Sequence, residues 1–97
     1  MRNFKSDSVD RLFDTILSLK DRDECYACFD DICRIKEITD MAQRLDTAFL
    51  IDEGISYQKI SDKIGVSTAT ISRVSRCLNY GAGGYRAVID RAKEAQK

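Results

Sequence analysis

Apolar residues return every three or four positions along most of this chain, the spacing that places them on one side of an α-helix. Val9, Leu12, Phe13, Ile16 and Leu19 predict a first amphipathic helix from about 8 to 20. The polar stretch KDRDE then supplies a turn. Cys25, Cys28, Phe29, Ile32 and Ile35 form a second stripe, from about 23 to 35, and Met41, Leu45, Ala48 and Phe49 a third, from about 39 to 53. The chain has no proline and no glycine before Gly54, so nothing in the first half compels a helix to stop except short polar turns. All five glycines fall at predicted breaks, at positions 54, 65, 81, 83 and 84, with Gly54 placed as a left-handed cap to the third helix. No strand-like alternation of useful length occurs. An all-α fold follows.

Beyond Gly54 the pattern tightens. Ser56 is a good N-cap for a short helix, YQKISDKI, and Ser67 for a second, TATISRVSRCLN, with Gly65 between them. Ile60, Ile64, Val66, Ile71 and Val74 are the apolar members of the pair, and Ser61 is small four residues before the glycine. A helix-turn-helix needs these features together: glycine for a tight turn, a small residue for close approach, and an apolar set to fix the crossing. The outward face of the second helix carries Thr68, Ala69, Ser72, Arg73 and Arg76, and Thr70 joins them in the candidate DNA-binding set. Short hydroxyl and methyl groups at a helix N-terminus suit base edges, where alanine and threonine can touch the thymine methyl and serine or threonine can bond donors or acceptors. Gln58, Lys59, Lys63, Arg73 and Arg76, with the Ser67 cap, complete the candidate DNA-binding set, the lysines and arginines being suited to phosphates.

Charge supports the same segment. The chain of 97 residues has formal net charge zero. Yet residues 1–54 hold 8 Lys/Arg against 13 Asp/Glu, whereas residues 55–86 hold 5 against 1. A local positive face is enough for a phosphate backbone, because attraction is screened within about 8–10 Å at ordinary salt. Apolar residues make up 43% and charged residues 33%, which fits a globular domain rather than a disordered or membrane-spanning chain. No apolar run approaches the roughly 18 residues of a membrane span, and the first residues lack the apolar centre of a signal peptide, so a cytoplasmic location is expected. One domain is expected, with residues 1–54 as dimerisation helices, 55–80 as the helix-turn-helix, and 81–97 as a glycine hinge leading to a last helix at about 85–96. A monomer this short buries only roughly 60–65% of its unfolded surface. The three N-terminal stripes offer more apolar surface than it can cover, so a homodimer is expected.

The segment IKEITDMAQRLDTAFLIDEGISYQKISDKIGVSTATISRVSRCLNYGAGGY resembles the Trp-repressor-like proteins, and is most similar to their repressor-related branch called YerC/YecD. ATISRVSRCLNYGAGGY carries the most specific part of that resemblance. It implies a six-helix, intertwined homodimer with interlocking N-terminal helices and two projecting helix-turn-helix units, acting on double-stranded DNA as a transcriptional regulator, with repression the expected sense. It also implies a ligand position. In the family's tryptophan-binding member the indole lies between two arginines, and Arg44 and Arg73 match them as the candidate ligand-binding pair. A glycine beside the second arginine is matched by Val74, and a threonine near the ligand's charged groups by Arg34. Those departures argue against tryptophan and leave open another small effector or none.

Other chemistry has little support. Cys25, Cys28, Cys33 and Cys77 include one two-residue spacing, but the chain has no histidine and a zinc site would need one helix plus a remote residue. Buried, reduced cysteines are expected, and no metal or cofactor. Without histidine, paired sheltered carboxylates or a phosphate-binding glycine loop, an enzyme is not expected. The alternative from another class is a helical protein-interaction or redox-sensing module with no operator, which would not need the polar, basic face of Thr68, Ala69, Ser72 and Arg76.

Overall fold

The computed structural model describes residues 2–96, which form six α-helices and, among the described residues, no strand. The helices are α1 Asp7–Leu17, α2 Arg22–Ile32, α3 Ile35–Asp52, α4 Tyr57–Ile64, α5 Thr68–Tyr80 and α6 Gly84–Ala95. Their packing groups the residues into two compact units, one up to Ile38 and one from Thr39.

In the first unit the helix starts are set by side-chain caps. Ser6 accepts from the Val9 N–H at 3.1 Å, and Asp21 from the Glu24 N–H at 2.9 Å. Glu24 in turn accepts from the Lys20 N–H at 2.8 Å, so the polar turn is stitched from both directions. Three boundaries differ from the sequence expectation. The first helix stops at Leu17, where Ser18 donates its hydroxyl to the Thr15 carbonyl at 2.6 Å, and Leu19 lies outside it. The second stops at Ile32, because Cys33 is extended (φ −108°, ψ 156°), so Ile35 opens α3 rather than closing α2. The Glu37 carboxylate accepts from the Arg34 N–H at 2.8 Å and starts α3 four residues before the expected position. No residue of α1 or α2 is buried.

The second unit contains the core. Ile60, Val66 and Ile71 pack together, with Leu50, Ile51, Ile55 and Ile64 around them. Ala48, Val74 and Ile89 form a second cluster, against which Phe49, Ile51, Leu78 and Tyr85 pack. Thus α3 runs beneath the helix pair, and α6 closes the far side of α5. Ile60, Ile71 and Ile89 are fully buried. Each contributes on the order of 1.5–3 kcal/mol, enough to hold the short helices α4 and α5, which would be marginal in isolation.

The glycine run after α5 is a determined turn. Gly81 donates its N–H to the Cys77 carbonyl at 2.8 Å, and a Cβ at Gly81 would collide with that same oxygen. Gly83 has φ +91°, whereas Gly84 is the first residue of α6 with open space around it. Gly81→Ala is therefore expected to lower stability by about 1–3 kcal/mol, the usual cost of forcing an atom into a filled space. Gly84→Ala is expected to be neutral or to stabilise by up to about 1 kcal/mol through the unfolded chain. Urea unfolding of the two variants checks this, and equal midpoints would show that the Gly81 contact yields freely.

Candidate nucleic-acid interface

The interface is built on two capped helices joined by three residues. Ser56 Oγ accepts from the Lys59 N–H at 3.3 Å and starts α4; Ser67 Oγ accepts from the Thr70 N–H at 3.1 Å and starts α5, both as the sequence predicts. Gly65 takes the left-handed conformation, φ +88°, and its N–H bonds the Ser61 carbonyl at 2.8 Å. With Ile71 and Val74 buried on one side of α5, the opposite side of the helix faces outward.

Thr68, Ala69, Ser72, Arg73 and Arg76 are all exposed on α5, and Gln58, Lys59 and Lys63 on α4. Ser67 is exposed and Thr70 half-buried, and their hydroxyls share a 3.1 Å hydrogen bond. Those two groups are first of all parts of the cap. Gln58 donates to Asp62 at 2.9 Å, which engages the single acid of the basic block at the helix surface. Tyr80 was not in the expected set. It is 87% exposed and continues the face of Ala69, Arg73 and Arg76 at helical spacing, toward the end of α5.

The candidate ligand pair lies on helices that meet through a filled contact. Arg44 and Arg73 are exposed, on α3 and α5. Arg44 stands one turn before Ala48, and Arg73 next to Val74; Ala48 and Val74 are packed with Ile89 at 0% and 2% exposure. Tyr85 leans on the same cluster. Burial pushes its phenol above the ordinary value, and the nearby Arg44 guanidinium acts in the opposite sense.

A separate ion cluster secures α6. Asp52, at the end of α3, receives Arg86 Nη2 on Oδ1 at 2.8 Å and Lys93 Nζ at 2.5 Å from Oδ2, and Arg86 also reaches Asp90 at 2.9 Å. Hydrogen bonds from Lys93 and Arg86 hold the Asp52 carboxyl below its ordinary value. The stabilisation it gives is present above that ordinary value and is lost only as pH falls through the lowered one, so the link holds at neutral pH.

The cysteines depart from the buried reading. Cys25 and Cys77 are exposed, and Cys28 and Cys33 half-buried, because the faces of α2 and α5 that carry Cys25 and Cys77 are not covered within the chain. Among the described residues no group of three or more metal-ligating side chains converges.

Comparison with known proteins agrees with this geometry. The family model described as Trp repressor protein matches residues 7–93. YerC of Bacillus subtilis (strain 168), an uncharacterized protein, is 56% identical over 88 residues, covering 91% of this chain and 85% of its own. The crystal structure of a TrpR-like protein from Eubacterium eligens superposes with a TM-score of 0.89 at 49% identity, covering 92% of each chain. That of a candidate Trp repressor from Staphylococcus aureus gives 0.88 at 45% identity, covering 92% of this chain and 89% of its own. The six helices, the capped helix pair and a match spanning nearly the whole chain thus place this protein in the Trp repressor family.

Proposed function

We propose that the chain is a homodimeric, sequence-specific DNA-binding repressor that inserts α5 into the major groove. Its family points to a DNA-binding regulator. The observation that carries the finer reading is the exposed row Thr68, Ala69, Ser72, Arg73 and Arg76 on a helix whose opposite side is anchored by Ile71 and Val74. The anchoring makes the row rigid, and base edges in the groove can then be matched to fixed donors and methyl groups. Lys59 and Lys63 on α4 are proposed for phosphates, which orient the pair without reading sequence. Action on the chromosome places the protein in the cytoplasm; among the described residues no helix is long and apolar enough to cross a membrane.

The partner is a second copy. Phe13 and Leu17 on α1, Ile32 at the end of α2 and Ile35 at the start of α3 are 47%, 81%, 57% and 75% exposed, an apolar load that these helices leave uncovered within the chain. Two copies cover it by pairing like faces, and the two α5 helices then reach inverted half-sites one helical turn or a multiple apart. Sedimentation at micromolar concentration is expected to give twice the 11.0 kDa chain mass. A folded monomer there would overturn the dimer. Selection from a random duplex pool is expected to enrich an inverted repeat, and a pool that shows no enrichment would end the operator reading.

A further inference from the structure

Hydroxyl side chains on the helices of this chain commonly bond backward. Thr15 donates to the Arg11 carbonyl at 2.8 Å and Thr47 to the Gln43 carbonyl at 2.7 Å, the local pattern that leaves neighbouring elements untouched. Ser61 does the opposite. Its hydroxyl donates forward, across the turn, to the carbonyl of Val66 at 2.9 Å, while its own carbonyl accepts from the Gly65 N–H at 2.8 Å. One half-buried residue of α4 therefore holds both Gly65 and Val66. Val66 immediately precedes the Ser67 cap from which α5 departs, and its side chain is fixed in the core at 8% exposure.

We propose that Ser61 is a positioning residue for recognition, setting through this hydrogen bond the angle at which α5 leaves the turn; the proposal rests on the DNA-binding reading above. The left-handed Gly65 permits the turn but does not by itself orient the peptide that follows. The Ser61 hydroxyl does, since a rotation of that peptide would break the bond. Thr68 and Ala69 follow the Ser67 cap at once, and α5 extends about 20 Å from it, so a small change of angle at the turn moves every outward side chain along the groove. Base-edge hydrogen bonds tolerate little displacement. Phosphate attraction, by contrast, falls off over about 8–10 Å and scarcely registers it. The loss should therefore appear in discrimination between sequences and spare general affinity for DNA.

The test uses the full chain with two duplexes of roughly 30 base pairs, one recovered by selection and one shuffled from it, long enough for two half-sites. Ser61→Ala keeps the residue small and removes the hydroxyl. Its affinity for the selected duplex is expected to fall roughly three- to tenfold, the ordinary worth of one hydrogen bond, with the shuffled duplex and the salt dependence unchanged. Ser61→Thr restores the hydroxyl and is expected to keep the ratio between the two duplexes near that of the unmodified protein, which also covers the case in which the alanine variant does not fold. Unchanged selected-duplex binding by the alanine variant overturns the proposal. So does equal weakening on both duplexes, or a threonine variant that loses discrimination as far as alanine, because packing alone would then set the helix. If the unmodified protein selects no sequence, the operator reading has failed before any Ser61 variant is made.

Discussion

Ala69→Asp is expected to abolish sequence-specific DNA binding while leaving the protein folded. Ala69 is exposed and is the second residue of α5, directly after Thr68 and the Ser67 cap. A carboxylate in the first turn of a helix is favoured by the exposed backbone N–H groups, by about 0.3–1 kcal/mol, so the substitution should not cost stability. On DNA the same carboxylate meets phosphates and the acceptor atoms of the bases. Like charges brought together at an interface cost several kcal/mol, which is two orders of magnitude or more in affinity for each half-site. Arg76→Ala supplies the contrast. Removing a phosphate contact should weaken selected and shuffled duplexes alike and reduce the salt slope by about one per subunit. Anisotropy titrations at two or more salt concentrations separate the outcomes. If Ala69→Asp binds the selected duplex as the unmodified protein does, α5 does not enter the groove by its N-terminus.

The parts of this interface that could be read in the sequence are those with local causes. Ser56 and Ser67 are caps whose bonds span three residues, and the left-handed glycines at 54 and 65 follow from the loss of apolar periodicity on either side. The six helices followed for the same reason. What was misread depends on choices that propensity does not make. Ile35 fits the stripe of α2 as well as that of α3, and the break falls before it where Cys33 turns extended and Glu37 reaches back to the Arg34 N–H. Ser61 could be recognised as small, but not as a donor across the turn, since that requires knowing where the Val66 carbonyl points. The bond from Arg86 to Asp52 joins residues 34 positions apart, and nothing in the local pattern announces it. Tyr80 lies just past the helix that the sequence marks, and only the structure shows it on the side of α5 opposite Ile71 and Val74, almost fully exposed.

The remaining question is whether a small molecule sets the angle of α5, and Val74 decides it. Its side chain is 2% exposed and packed with Ala48 and Ile89, with Leu78 and Tyr85 completing the enclosure between the helices that bear Arg44 and Arg73. A ligand inserted there would have to displace that packing. A ligand also alters DNA binding only through its preference for one helix setting over another. We therefore propose that the unmodified protein binds its operator without L-tryptophan, and that the amino acid neither gives heat in calorimetry nor changes DNA affinity. Val74→Gly is expected to lower stability by about 2–4 kcal/mol, combining the lost burial of the isopropyl group with the cost of glycine inside a helix. The space it leaves lies beside Arg73, so tryptophan should now stabilise the variant weakly. Urea unfolding with and without the amino acid reads both effects, because a ligand that binds only the folded state raises the midpoint, and does so further as its concentration exceeds its Kd. A tryptophan-dependent midpoint in the unmodified protein would show that Val74 moves aside, and Arg44 and Arg73 would then stand as a working clamp.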